Sequence, residues 1–236
     1  MGWVDMIGNK AIGTVAYMGG LPAILEAFAW SWGQMIAYNA EWCGSGTYVH
    51  YERSTYSDHA PARNALASRF LGNWLIQLDT DHAFEPDIVA RLVHYADSLN
   101  LDVLSGIYLM KNAPHLPVLY QWTGPEDAPG LQPLATWDKR LKVVEVGSAG
   151  GGCLFVRRKV FDRIVNELKT EPFDRIHPYS EDHSFFLRLK QLKITAYAAL
   201  NIECNHLRVT PVTLDDLPLN GSFQISEPFK MKGFGL

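Results

Sequence analysis

Cysteine is scarce in this 236-residue chain: Cys43, Cys153 and Cys204 are the whole set. Their number is odd and they share no metal-ligand or paired spacing, which argues against a disulfide framework. Three buried thiols in a reducing compartment, and hence a cytoplasmic chain, are expected. Positive charge is also short. Lys and Arg number 21 against 25 Asp and Glu, a net charge of -4, so a polyanion meets no overall attraction. No basic run supplies a local one, and nucleic acid is not indicated as a partner. An uninterrupted apolar stretch of membrane-spanning length is missing too. Residues 11–38 come nearest, but Gly19, Gly20, Pro22 and Glu26 break them up. Only Lys10 precedes that stretch, against Asp5, where an export signal wants a basic start. Residue 6 is Met, where N-myristoylation prefers Ser or Thr. Internal repeats and low-complexity tracts are absent as well.

What is present is ordinary globular material, with 47% hydrophobic and 19% charged residues. That composition folds. The length suits one core, so residues 1–236 are expected to form a single domain, with 207–236 an irregular C-terminal tail or lid rich in Pro and Gly.

The chain alternates strand and helix patterns. "AIGTVAY" (11–17) is short and apolar, closed by Met18-Gly19-Gly20, and Pro22 opens a helix running at least to Ala37. "GTYVHYER" (46–53) suits a second strand, 58–71 a helix behind Pro61, and "NWLIQL" a third strand. Glu85-Pro86-Asp87 starts the next helix, which ends near Ser98. A strand at 101–109 follows. "PVLYQW" and "RLKVVEV" are expected to pair around a Pro/Gly loop, then "CLFV" to form a strand, 158–169 and 181–192 helices, and "ITAYAAL" the last strand. Alternation up to residue 107 predicts parallel crossovers, with the later strand pair added antiparallel to the same sheet. The class is α/β with a mixed, mainly parallel sheet flanked by helices.

Within "WLIQLDTDHAFEPD" (74–87) an apolar run stops on Asp79 and Asp81. A strand apolar on both faces belongs in the middle of a parallel sheet, where ligands sit beyond the carboxyl ends of the strands. Side chains two apart in an extended segment point the same way, so the two carboxylates converge. Such like charges are relieved by a hard divalent cation, Mn²⁺ or Mg²⁺, able to grip a diphosphate. The competing account is a pair of capping or turn aspartates ahead of Pro86.

The ordered set formed by "ARN", "WLIQLDTD", "FEPD", Ser105-Gly106, "GSAGGGCLFVRR", "SEDHSFFLRLK" and "CNH" resembles the GT-A glycosyltransferases, in particular the family 2-like enzymes, over about residues 11–207. The resemblance implies a Rossmann-like nucleotide-diphospho-sugar transferase fold. It implies that the D-x-D segment Asp79-Thr80-Asp81 holds Mn²⁺ or Mg²⁺ on the diphosphate of a nucleotide-sugar donor, with Asp81 a direct ligand and Asp79 serving metal or ribose. His206 matches a third metal ligand. In Glu181-Asp182 it implies Asp182 as the general base of an inverting transfer to an acceptor hydroxyl, and Glu181 as an orienting group. Tyr17 and Asp58 fall where base and ribose lie, and Arg63 within reach of the nucleotide or diphosphate. Gly151 and Gly152, in the run from Gly150, fall where donor sugar or acceptor is lined. His183-Ser184 after the "ED" pair, and Ser54-Thr55-Tyr56-Ser57-Asp58 behind strand two, depart from the family's usual phrases.

Each residue has a structural alternative. Glu181 and Asp182 suit a helix start capped by Ser180, Arg63 a local ion pair, the glycines a flexible connection, and His206 a core or surface role. Trp122 and Trp137 are candidate sugar platforms, or core. Arg208, Lys230 and Lys232 are candidate lid cations, or solvated charges. Two other functions compete. A sugar-phosphate nucleotidyltransferase wants a basic glycine-rich loop after strand one, where Met18-Gly19-Gly20-Leu21-Pro22 carries no base. A non-catalytic sugar-nucleotide-binding module has no chemical need for Asp79, Asp81, Glu181, Asp182 and His206 together.

Overall fold

The computed structural model describes residues 10–19, 24–44, 46–126, 129–134, 136–138 and 140–208. Pro22 and everything beyond Arg208, including Lys230 and Lys232, lie outside the described residues. In chain order the elements are β1 (Ala11–Met18), α1 (Glu26–Trp42), β2 (Tyr48–Ser54), α2 (His59–Arg69), β3 (Trp74–Leu78), β4 (His82–Phe84), α3 (Ile88–Ser98), β5 (Val103–Ile107), β6 (Leu119–Thr123), β7 (Gly130–Pro133), β8 (Val143–Val146), β9 (Ser148–Ala149), β10 (Cys153–Arg157), α4 (Arg158–Arg163), a π-helical turn (Ile164–Leu168), α5 (Glu181–Gln191) and β11 (Ala196–His206).

The large sheet runs β2-β1-β3-β10-β5-β11-β4, with β8 also paired to β11. Strands β1, β2 and β3 are mutually parallel, β5 is parallel to β11, and β10 lies antiparallel between β3 and β5. The sheet is mixed, as the strand and helix patterns predict. Successive residues along a strand point to opposite faces, and the core divides accordingly. Leu75 and Val103 face Leu66, Val160, Phe161, Phe185 and Phe186 from α2, α4 and α5. Ile76 and Leu104 face Phe28 and Met35 of α1 and Ile88, Val89 and Leu92 of α3. All five residues of β3 are buried. Each large apolar side chain so placed contributes about 1.5–3 kcal/mol of transfer free energy. Gly13 is required where β1 passes Trp74, because a Cβ there would stand 2.1 Å from the indole.

Two expectations are corrected. "PVLYQW" and "RLKVVEV" do not pair with each other. β6 forms a separate three-stranded sheet with β7 and β9, while β8 adds to β11. The intervening Pro/Gly segment itself supplies β7, whose Gly130 lies so close to Thr123 that a Cβ would be 2.9 Å from its hydroxyl. The last strand is also longer than "ITAYAAL", reaching His206, because its end pairs with β4, a three-residue strand hidden between the D-x-D segment and the next helix. No helix among the described residues is long and apolar enough to cross a membrane. Cys153 and Cys204 are buried, Cys43 is half-buried, and all three are free thiols.

Candidate active site and metal centre

The carboxyl ends of β1, β3 and β5, the start of β10 and the end of β11 meet at one edge of the sheet. That edge carries Asp79, Thr80 and Asp81, the glycine run and His206. A cleft of about 110 Å³ opens there, lined by Met18, Tyr56, Ser57, His59, Asp79, Thr80 and Asp81.

The two aspartates go to different partners. Arg63, on α2 and only 2% exposed, donates from Nη2 to both Asp79 oxygens at 3.0 and 3.3 Å. It also donates from Nη1 to Gln77 Oε1 and the Gly151 carbonyl, at 2.8 and 3.0 Å, and from Nε to Glu181 Oε1 at 3.5 Å. Burial alone would lower the pKa of Arg63, but Asp79, Glu181 and Asp182 outweigh it and raise it. The guanidinium therefore stays charged, and its donors are committed inside the protein rather than presented to the cleft.

Asp81 instead receives Lys111 Nζ on Oδ2 at 2.6 Å, with His206 Nε2 3.4 Å from the same oxygen. His82 Nδ1 stands 3.0 Å from Oδ1, but out of line, so neither atom forms a hydrogen bond. Burial pushes the Asp81 carboxyl up, and contact with His82 and Lys111 more than reverses this, holding it well below the usual carboxylate range.

His82 is the residue that sequence reasoning passed over. It is 1% exposed, and neither ring nitrogen has a hydrogen-bond partner among the described residues. Unpaired polar groups at such depth are costly and rare. Its ring stacks on His206 with centroids 4.6 Å apart and planes 11° apart, because the two residues are direct cross-strand partners on β4 and β11. His206 bonds the Leu109 carbonyl through Nδ1 at 2.8 Å, which leaves Nε2 facing Asp81. Donor atoms of Asp81, His82 and His206 all lie within 4.8 Å of one another. A carboxylate and two imidazoles, one of them without a hydrogen bond among the described residues, fit a divalent ion. Two nitrogens suit Mn²⁺ better than Mg²⁺. The signal available in the sequence was the Asp81-His82 adjacency, which the D-x-D spacing overshadowed.

The glycine run is explained by close packing rather than by backbone conformation. None of the three residues has positive φ; the positive-φ glycines among the described residues are Gly44, Gly46, Gly72 and Gly124. A Cβ at Gly150 would meet Tyr108 Oη at 1.9 Å, at Gly151 the Arg63 guanidinium at 2.6 Å, and at Gly152 the His82 ring at 2.6 Å. The run presses against the residues that hold the site.

Glu181 and Asp182 open α5. Glu181 is buried and faces Arg63, with His59 Nδ1 at 3.7 Å and Arg175 Nη2 at 4.0 Å. Asp182 accepts hydrogen bonds from the Ser180 hydroxyl and the His183 amide, both on Oδ1, leaving Oδ2 for another donor. Burial raises its pKa, but the His183 ring, Ser180 and Arg63 outweigh that and hold it low, so the group is an ionised carboxylate at neutral pH. His183 bonds Ser148 Oγ through Nδ1 at 2.8 Å and meets the Tyr120 ring edge-on.

Other expected residues lie differently. Tyr17 packs edge-on against Phe28 and Trp32, and its neighbour Met18 lines the cleft. Asp58 caps α2 through the Ala60 amide and pairs with Arg175 at 2.7 Å. Trp122 meets Tyr179 edge-on, and Trp122 and Trp137 both pack on the core. Arg208 donates to the Lys111 carbonyl at 3.4 Å.

No family model and no curated protein matches the chain by sequence. Solved structures do match by fold. A197 from STIV is 17% identical with a TM-score of 0.54, over 83% of this chain and 86% of that one. GalNAc-T7 with UDP, GalNAc and Mn²⁺ is 13% identical with a TM-score of 0.55, over 85% of this chain but 43% of that one. At such identities the likeness is one of fold, and a GT-A-like architecture is consistent with it.

Proposed function

We propose that the chain is a metal-dependent glycosyltransferase that moves a sugar from a nucleotide-diphosphate donor to an acceptor hydroxyl with inversion. The observation that carries this reading is the convergence of Asp81, His82 and His206 beside a cleft at the carboxyl edge of the sheet. That GalNAc-T7, of similar fold, was crystallised with UDP, GalNAc and Mn²⁺ supports it.

Asp81, His82 and His206 would hold the ion, whose chemistry there would be to offset negative charge on the leaving diphosphate. Asp79, fixed by Arg63, serves the ribose or supports the metal site, and Thr80 in the cleft wall and the neighbouring glycine backbone meet the donor. Asp182 Oδ2 takes the proton of the acceptor hydroxyl as that oxygen bonds to the anomeric carbon. Glu181 keeps Arg63 charged and the two carboxylate stations in fixed relation. Tyr17 and Asp58 act at one remove, backing Met18 and the start of α2.

The test is nucleotide-sugar binding and slow donor hydrolysis with and without Mn²⁺. Wild-type protein should need the ion for both, and Asp81→Ala should lose both while keeping its melting temperature within a few degrees. Normal donor binding by Asp81→Ala in Mn²⁺ would end the proposal.

A further inference from the structure

Among the described residues, Lys111 is a charged group at the centre that metal ligation leaves unexplained. It stands in the loop after β5, and its ammonium lies on Asp81 Oδ2 at 2.6 Å. Both side chains are about one-third exposed, Lys111 at 35% and Asp81 at 36%. A divalent ion bonded to Asp81 at about 2.0–2.2 Å, the distance of a metal–carboxylate bond, would put two cations on one carboxylate. Like charges that close are unfavourable unless one moves or an anion comes between them.

The surroundings say where the ammonium goes. Lys111 and His206 also line a groove of about 280 Å³, together with Leu109, Met110, His115, Cys204, Asn205 and Arg208. Among the described residues no acid lines it, whereas Lys111 is cationic. The ligand that suits an ammonium beside the ion is an anion, and the diphosphate of the proposed donor supplies one.

We propose that Lys111 is a displaceable counter-ion of Asp81 and the second cation of the diphosphate site. Without a divalent ion it neutralises the carboxylate; when the ion binds it gives up Asp81 and donates to a phosphate oxygen. The inference rests on the metal reading above and adds a residue that this reading does not assign.

The experiment uses the full chain, Mn²⁺ alone, and then inorganic pyrophosphate with Mn²⁺. Lys111→Met keeps the stem length and removes the charge. Because a partly exposed ion pair is worth little, the changes are modest: Mn²⁺ alone should bind about fivefold tighter, and pyrophosphate in saturating Mn²⁺ about fivefold weaker. Mn²⁺ affinity that is unchanged or lower overturns the proposal. A second measurement needs no variant. Acylation of the Lys111 amine in wild-type protein, followed by mass spectrometry, should rise when Mn²⁺ is added and fall again with pyrophosphate. Labelling that Mn²⁺ leaves unchanged or suppresses also overturns it. If wild-type protein binds no Mn²⁺, the metal reading and this one fall together; if it binds Mn²⁺ but neither change occurs, only the role of Lys111 falls.

Discussion

Arg63→Met is the sharpest test of how the site is held. The substitution keeps an apolar stem of similar reach and removes the guanidinium that touches Asp79, Glu181, Gln77 and the Gly151 carbonyl. Breaking a buried ion pair by deleting one partner costs about 3–5 kcal/mol, because the other charge is left stranded. Two features pull toward the lower end. The Asp79 side chain is 24% exposed, and Glu181 keeps His59 and Arg175 at 3.7 and 4.0 Å. A loss of about 3–4 kcal/mol follows. The unfolding entropy of a chain this size, about 0.5 kcal/mol/K, turns that into a fall in Tm of about 6–8 °C. Calorimetry measures it directly. Arg63→Lys should recover part of the loss, since it restores a charge without the fork of donors. In an Asp79→Asn background the same Arg63→Met change should cost about 1–2 kcal/mol less, as expected for groups in contact. A Tm within about 2 °C of wild type, together with weakened nucleotide binding, would refute this: Arg63 would then be a donor-binding group, as its position before strand three suggested.

Gly152→Ala sets a Cβ 2.6 Å from His82 Cε1 and 3.1 Å from the Tyr108 ring. It should therefore displace His82 and weaken Mn²⁺ binding at least about tenfold, with far-ultraviolet circular dichroism unchanged; unaltered Mn²⁺ affinity by calorimetric titration would count against His82 as a ligand. For Asp81, the folded carboxyl is held below its unfolded value, so its contribution to stability is present above the unfolded pKa and lost as pH falls through the folded one. Comparison of metal-free wild type with Asp81→Asn by urea unfolding should show wild type ahead at pH 7, by less than about 1 kcal/mol for so exposed a pair. That lead should shrink below about pH 4; a gap that instead widens in acid would contradict the pairing with Lys111.

Much of the architecture was legible because the apolar runs are long and unambiguous. "WLIQL" is buried at every position, and continuous burial is what a central strand needs. What could not be read was long-range pairing. β4 has three residues and no pattern of its own, and only its contact with β11 makes it a strand. β8 and β6 look like a hairpin locally, yet register on different sheets, a choice made by packing rather than propensity. At the site, Asp81 and His206 were visible as chemistry-bearing residues, and the structure brings them together. Arg63 was visible as a charge, but burial decides whether a guanidinium meets a ligand or its own protein, and burial is not local in sequence. The glycine run answers to close packing against Tyr108, Arg63 and His82, which no local pattern reveals.

The mutual repulsion of Asp79 and Asp81 turns out to be a weak argument for a metal ion. Each carboxylate already has a cation of its own: Arg63 takes one, Lys111 the other. A fully compensated pair of acids asks for nothing further. The residue that does is His82, buried without a hydrogen bond at either nitrogen among the described residues, and stacked on a second imidazole whose Nδ1 bonds a backbone carbonyl. Desolvating an imidazole with Nε2 unpaired and Nδ1 in no more than a poorly aligned contact with Asp81 costs free energy that folding alone does not return, whereas a metal–nitrogen bond would. The case for an ion at this edge therefore runs through the histidines, and the D-x-D spacing matters because it delivers Asp81 to them while Arg63 keeps Asp79 apart.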